Sequence, residues 1–185
     1  MAPTVDNTQF HQEKRLIDPT TGLDMHPNSD ATAVQEGVER IVYTLGTSNR
    51  SLKEFVEILD VYGIQQVIDV RRFPTSRFDH FKKDNLMNIV ERAGLGYLSC
   101  GDRLGGFRSG GYEEHMKTGA FQEALGEVET LARTGPAVIL CAEKFPWKCH
   151  RRFIAAALRD RGWRVLHILD RDRTWQPQEQ LDLMA

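Results

Sequence analysis

The sequence predicts a single α/β domain, Rossmann-like, with a mainly parallel sheet of about five strands covered by helices on both faces. Two observations carry that expectation. Short apolar runs rich in β-branched residues alternate with amphipathic segments through the middle of the chain, the pattern of a parallel sheet with crossover helices. The stretch Cys141 to Arg152 (CAEKFPWKCHRR) lies between such a run, PAVIL, and such a segment, FIAAALRDRG. A polar loop leaving the carboxyl end of a strand is where α/β proteins place their sites.

Residues 1–38 are polar, without sustained periodicity, and read as a flexible or surface-draped extension. Arg40 to Gly46 is the first strand. Ser51 opens a helix: Ser51 and Glu54 have capping-box spacing, Leu52, Phe55, Val56, Leu59 and Tyr62 share one face, and Gly63 ends it. QQVIDV is the second strand. After RRFPTSRFDHFKK, Asp84 is placed to cap a helix facing inward through Leu86, Ile89, Val90 and Ala93. GYLSC is a third strand, and the glycine-rich stretch from Cys100 to Met116 reads as a long loop. A helix follows over about Gly119 to Arg133. Then come PAVIL, the polar loop, its helix and a fifth strand, WRVLHIL. The domain thus runs over 39–170, and 171–185 reads as a polar C-terminal tail. The expected strand order is 3-2-1-4-5, which sets the loops after the first and fourth strands side by side.

Composition excludes little. A formal net charge of -2 argues against a generally basic coat but not against a local basic patch. Three cysteines make an odd count, and no secretory segment precedes them, so a reducing, cytoplasmic setting is expected. No apolar run is long enough to span a membrane.

Several groups at predicted strand ends carry chemistry. Thr47, Ser48, Asn49 and Arg50 offer hydroxyls, an amide and a guanidinium at a helix start, which suits an anion as well as an ordinary cap; the glycines and lysine of a Walker loop are missing. Arg71, Arg72 and Arg77 interleave with Phe73, Phe78 and Phe81, a mixture that suits phosphates and bases. An internal ion pair between Asp69 and Arg71, with the phenylalanines in the core, explains the same residues. Arg50, Arg71 and Arg151 are expected to converge on one anion with Ser48.

Glu143 and Asp69 are candidate general bases, and His150 a candidate acid or base. Cys149 sits near a predicted helix start among Lys148, Arg151 and Arg152, which favours a thiolate. It lacks, at recognisable spacing, a resolving cysteine or the arginine of a phosphate loop, so Glu143 is favoured as the group that carries chemistry. Cys141, Cys149, His150 and Cys100 fit no common zinc spacing, so neither a metal site nor a cofactor is expected.

The segments LGTSNRSLKEFVEIL, VIDVRRFPTSRFDHF, LGG, GYEEHM and CAEKFPWKCHRRFIAAAL resemble, in that order, the Domain of Unknown Function 488 family, from about Ile41 to Ile168. The resemblance implies an α/β fold and a pocket. It marks Gly46, Ser48, Asn49, Arg50, Asp69, Arg71, Arg72, Pro74, Ser76, Gly105, Gly106 and Tyr112, and then Cys141, Glu143, Pro146, Cys149, His150 and Arg151. Many members have histidine where this chain has Thr47. The name of the family carries no reaction.

The expected function is that of an enzyme acting on a phosphate-bearing substrate, preferably a nucleic acid or nucleotide, by hydrolytic or base-removing chemistry. In it arginines hold phosphate and a carboxylate assists. Two alternatives stay open: a non-catalytic nucleic-acid-binding module, and a thiol-dependent sulfur or redox enzyme using Cys149 or Cys141. The sequence does not set the oligomeric state.

Overall fold

The computed structural model describes residues 39–177. The predicted N-terminal extension, 1–38, lies outside them. The described chain is a mixed α/β fold with a six-stranded sheet. Its strands are β1 (Ile41–Gly46), β2 (Gln66–Asp69), β3 (Gly96–Ser99), β4 (Ala137–Cys141), β5 (Arg164–Asp170) and β6 (Arg173–Trp175). Its helices are α1 (Leu52–Val61), α2 (Lys83–Arg92), α3 (Gly101–Leu104), α4 (Tyr112–Met116), α5 (Gly119–Thr134) and α6 (Arg151–Asp160).

The strand order is β3-β2-β4-β1-β5-β6, not the 3-2-1-4-5 order expected from the sequence. β1 to β5 pair in parallel, and β6 pairs antiparallel with β5. β4 pairs with both β1 and β2 and so separates them, and the loop that leaves it is flanked by the loops of both. All five residues of β4 are buried, as an interior strand requires, but an interior place is met in either order, so the order rests on long-range pairing that no local pattern encodes. β6 lies in the stretch read as a polar tail; its three residues are exposed and cover the edge of β5.

Each face of the sheet has its own core. Val138 and Leu140 point one way, with Leu45, Val67 and Ile168, against Phe55, Ile58 and Leu59 of α1 and Leu86 and Val90 of α2. Ile139 and Cys141 point the other way, with Val42, Ile68 and Val165. There they meet Phe121, Leu125 and Val128 of α5 and Ile154, Ala155 and Leu158 of α6. Neighbouring strand residues go to opposite faces because the side-chain period of a strand is two.

Local signals mostly hold. Ser51 caps α1, its hydroxyl accepting from the Glu54 amide. Asp84 does not cap α2. The cap is Lys82, without a side-chain bond, and Asp84 sits in the first turn, where a carboxylate suits the helix dipole. The glycine-rich stretch is not one long loop. It contains α3 and α4, pinned together by Tyr112 Oη donating to the Leu104 carbonyl at 2.6 Å and by His115 Nε2, 2.6 Å from the Arg103 carbonyl. Among the described residues no helix is long and apolar enough to cross a membrane.

Candidate functional site at the carboxyl edge of the sheet

The register sets Gly46 of β1 beside Cys141 of β4 and Asp69 of β2 beside Leu140. All three strands thus deliver their loops to one edge. The β1 loop is tied to the β4 loop by backbone bonds: the Thr47 amide donates to the Cys141 carbonyl and the Ser48 amide to that of Ala142, both at 2.8 Å. A side chain at Gly46 has no room here, since a Cβ would stand 2.0 Å from the Glu143 carbonyl oxygen.

The three arginines expected to share an anion are instead buried and turned to protein acceptors. Arg50 donates to the Gly46 and Leu169 carbonyls at 3.1 and 2.5 Å, and pairs with Glu54. Arg71 grips both oxygens of Asp69 and donates to the Phe81 carbonyl at 2.7 Å. Arg151, fully buried, donates to the carbonyls of Glu143 and Lys144 at 2.6 and 2.7 Å. Loops leaving adjacent strands carry carbonyls without ladder partners, and a guanidinium fork satisfies several at once. Ser48 is half-buried in the left-handed region (φ 49°), its hydroxyl 3.3 Å from the Asn49 amide oxygen, and Asn49 is exposed.

Asp69 is likewise not a free base. It is 1% exposed, accepts from Arg71 and from Tyr97 Oη at 2.8 Å, and so forms the internal ion pair. Burial, then the neighbouring Asp69 charge, pushes the Tyr97 phenol well up, so it stays a donor. Glu143, by contrast, is exposed; the protein uses only its main-chain carbonyl.

Cys149 does have a partner, which the chain spacing hid. Cys141, at the end of β4, and Cys149, just before α6, lie 3.2 Å apart, sulfur to sulfur. His150 Nδ1 is 3.8 Å from both sulfurs. Its Nε2 is 3.2 Å from the Val70 carbonyl, which can only accept, so Nε2 carries the proton and Nδ1 offers its lone pair to the sulfurs. The hydrogen bond between the two sulfurs, with the Arg151 charge beside it, lowers the Cys149 pKa. The same hydrogen bond and burial raise that of Cys141. Pro146 starts a separate short 3-10 turn, Pro146–Lys148; α6 itself begins at Arg151. Cys100, also buried, is pushed up to about 11 by burial and does not join the cluster.

The walls of this site come from the glycine-rich stretch. A Cβ on Gly106 would lie 3.0 Å from His150 Nδ1, so Gly106 permits close approach to the imidazole. Tyr112 packs 5.4 Å from the His150 ring and stacks on Phe153 at 5.2 Å. It therefore walls the histidine, its hydroxyl occupied by Leu104.

The rim is aromatic and basic. Phe73, Phe107, Phe145 and Trp147 are exposed on loops at this edge, and Trp175 of β6 meets Trp147 at 5.3 Å. Arg72 lies over Phe73 and donates to the Phe107 carbonyl at 3.1 Å; Lys144 lies over Phe145; Arg152 lies over Phe153 and donates to the Trp147 carbonyl at 2.7 Å. Arg77 is exposed over Phe78, while Phe81 is core. Sequence reasoning singled out Arg72 and Phe73 but missed Phe107, Phe145, Trp147 and Trp175. The run FPW next to lysines was the available signal for two of them; Trp175 had none.

Two groups in the centre of the site bear on what it can hold. Cys141, Cys149 and His150 present three metal-ligating atoms within 4.8 Å of one another. Arg151 Nε, buried, has no acceptor among the described residues.

The family profile described as Domain of unknown function DUF488 matches residues 51–158. That span runs from the start of α1 into α6 and includes the whole Cys141–Arg152 loop. No curated protein and no solved structure matches the chain. The match covers more than half of the 185 residues, and it holds both the central strand and the cysteine–histidine cluster: the chain belongs to the DUF488 family, a family of domains of unknown function.

Proposed function

We propose that this protein acts on a nucleic acid or nucleotide at the carboxyl edge of its sheet, by hydrolytic or base-removing chemistry. The observation that carries the reading is the rim. Exposed aromatic side chains stand there in two groups, Phe73 with Phe107 and Phe145 with Trp147 and Trp175, along with cations that are not consumed by the interior: Arg72, Lys144, Lys148 and Arg152. Aromatic faces stack on bases and surface cations meet phosphates, without requiring a fixed sequence. The buried arginines do not serve this role; they shape the loops that carry the rim. Glu143, exposed beside the cluster in sequence, is the carboxylate free to steer water.

The test is fluorescence anisotropy with a labelled single-stranded oligonucleotide, a duplex of the same sequence and a labelled mononucleotide, over a range of salt. Four phosphate contacts to a single strand predict a slope of log K against log salt of about -3. Chromatography of the same mixtures reads turnover. Absence of binding at low salt overturns the reading. Binding without product, over bases and backbones of both DNA and RNA, converts it to a non-catalytic binding module.

A further inference from the structure

We propose that Cys141, Cys149 and His150 form a zinc site with one coordination position left for water or substrate. This goes beyond the nucleic-acid reading and does not depend on it, since it rests on the three donors alone.

The geometry is the first ground. A tetrahedral zinc, with Zn–S about 2.3 Å and Zn–N about 2.05 Å, spaces its ligand atoms about 3.5 to 3.8 Å apart. The two Sγ atoms are 3.2 Å apart and Nδ1 is 3.8 Å from each. The triangle needs the sulfurs to part by roughly half an ångström, a small rotation about their Cα–Cβ bonds, to become a face of that tetrahedron.

The donor set is the second. Two thiolates and an imidazole match borderline-soft zinc rather than magnesium or calcium, which take oxygen ligands. Among the described residues no fourth histidine, cysteine or carboxylate joins the cluster. Three protein ligands and an open position describe a catalytic zinc rather than a structural one.

The surroundings are the third. A ligating histidine donates its other ring N–H to a carboxylate or carbonyl, which fixes the ring and its tautomer. His150 has this second bond already, from Nε2 to the Val70 carbonyl at 3.2 Å. The ring is further held by Tyr112 and by the close approach of Gly106. Two thiolates would neutralise the zinc charge, so Arg151 and Arg71 nearby need not be displaced.

Zinc bound with an open position supplies a water of lowered pKa, the nucleophile that hydrolytic chemistry requires. The ligands come from a rigid central strand and from a helix start, so their spacing is preset by the fold.

The experiment uses the full chain, expressed in zinc-supplemented medium and purified without chelator. Metal analysis is expected to find about one zinc per chain. After zinc is removed under reducing conditions, cobalt(II) titration is expected to give the visible bands of a tetrahedral site together with thiolate-to-cobalt charge transfer. Bound metal should protect two of the three cysteines from alkylation, and chelator should expose them. Cys149→Ser and His150→Gln are expected to weaken cobalt binding at least hundredfold, whereas Cys100→Ser leaves the stoichiometry unchanged. Because the titration of the unmodified chain needs no variant to fold, it decides alone. Protein that takes up neither zinc nor cobalt overturns the proposal. So does a Cys141–Cys149 disulfide in the protein as isolated, and that outcome promotes the thiol-dependent enzyme instead. A cobalt site that persists in Cys149→Ser overturns the ligand assignment.

Discussion

Arg151 Nη1 donates to the main-chain carbonyl of Glu143 at 2.6 Å, so a helix residue holds the central loop by its backbone and leaves the Glu143 carboxylate free. The neighbouring Lys144 carbonyl takes the second nitrogen. Arg151 is the largest fully buried side chain of the domain, and its removal strands two carbonyls as well as opening a hole. Leaving a buried acceptor unsatisfied costs about 1–3 kcal/mol. Arg151→Ala should therefore lower stability by about 3 kcal/mol or more in denaturant melts. A variant with unchanged midpoint and weakened phosphate binding would restore the anion-binding role expected from the sequence.

The same loop is fixed from the β1 side by Gly46. A methyl group there meets only backbone, the Glu143 oxygen at 2.0 Å and carbon at 2.6 Å, so no side chain can swing away to accommodate it. Overpacking of this kind costs about 1–3 kcal/mol. Gly46→Ala should lower the melting temperature and also disturb cobalt uptake, because the displaced loop leads to Cys149. A Gly46→Ala protein as stable as the parent would show that the loop yields freely.

Stability should fall on mild acidification through His167. Its Nδ1 is 2.6 Å from Thr44 Oγ1, it is 1% exposed, and burial lowers its pKa to about 3. In the unfolded chain a histidine takes a proton near pH 6.5. Between about pH 6.5 and 3 the unfolded state holds a proton that the folded state does not. Stability contributed by the neutral imidazole is complete above that window and declines by about 1.4 kcal/mol per pH unit within it as pH falls. His167→Gln should remove this part of the slope, read as the difference between parent and variant in urea melts from pH 7 to 5. Parallel curves for the two proteins would contradict the neutral buried state.

Two substitutions separate holding the substrate from transforming it. Trp147→Ala should weaken single-strand binding by about 1–3 kcal/mol, the scale of one base–aromatic stack. Glu143→Gln should abolish turnover and leave binding within about tenfold, or roughly 1.4 kcal/mol. A fully active Glu143→Gln would return that carboxylate to the role of a bystander.

The alternation of strands and helices, the Ser51 cap and the polar loop from Cys141 to Arg152 between a strand and a helix were legible in the sequence, because hydrophobic period and capping act over a few residues. By itself the sequence determined that the sheet is mainly parallel and that a basic, cysteine-bearing loop ends one of its strands. Tertiary structure alone decided that β4 lies between β2 and β1, since both that order and the expected one bury β4 on two faces and only long-range pairing separates them. It also decided which charges are available. Arg50, Arg71 and Arg151 look like Arg72 and Arg152 in the chain, yet the first three meet carbonyls or carboxylates that only folding brings within 3.1 Å. Cys141 and Cys149 are eight residues apart and match no motif by spacing. The strand end and the helix start bring their sulfurs to 3.2 Å because the intervening loop doubles back, its carbonyls bound by Arg151.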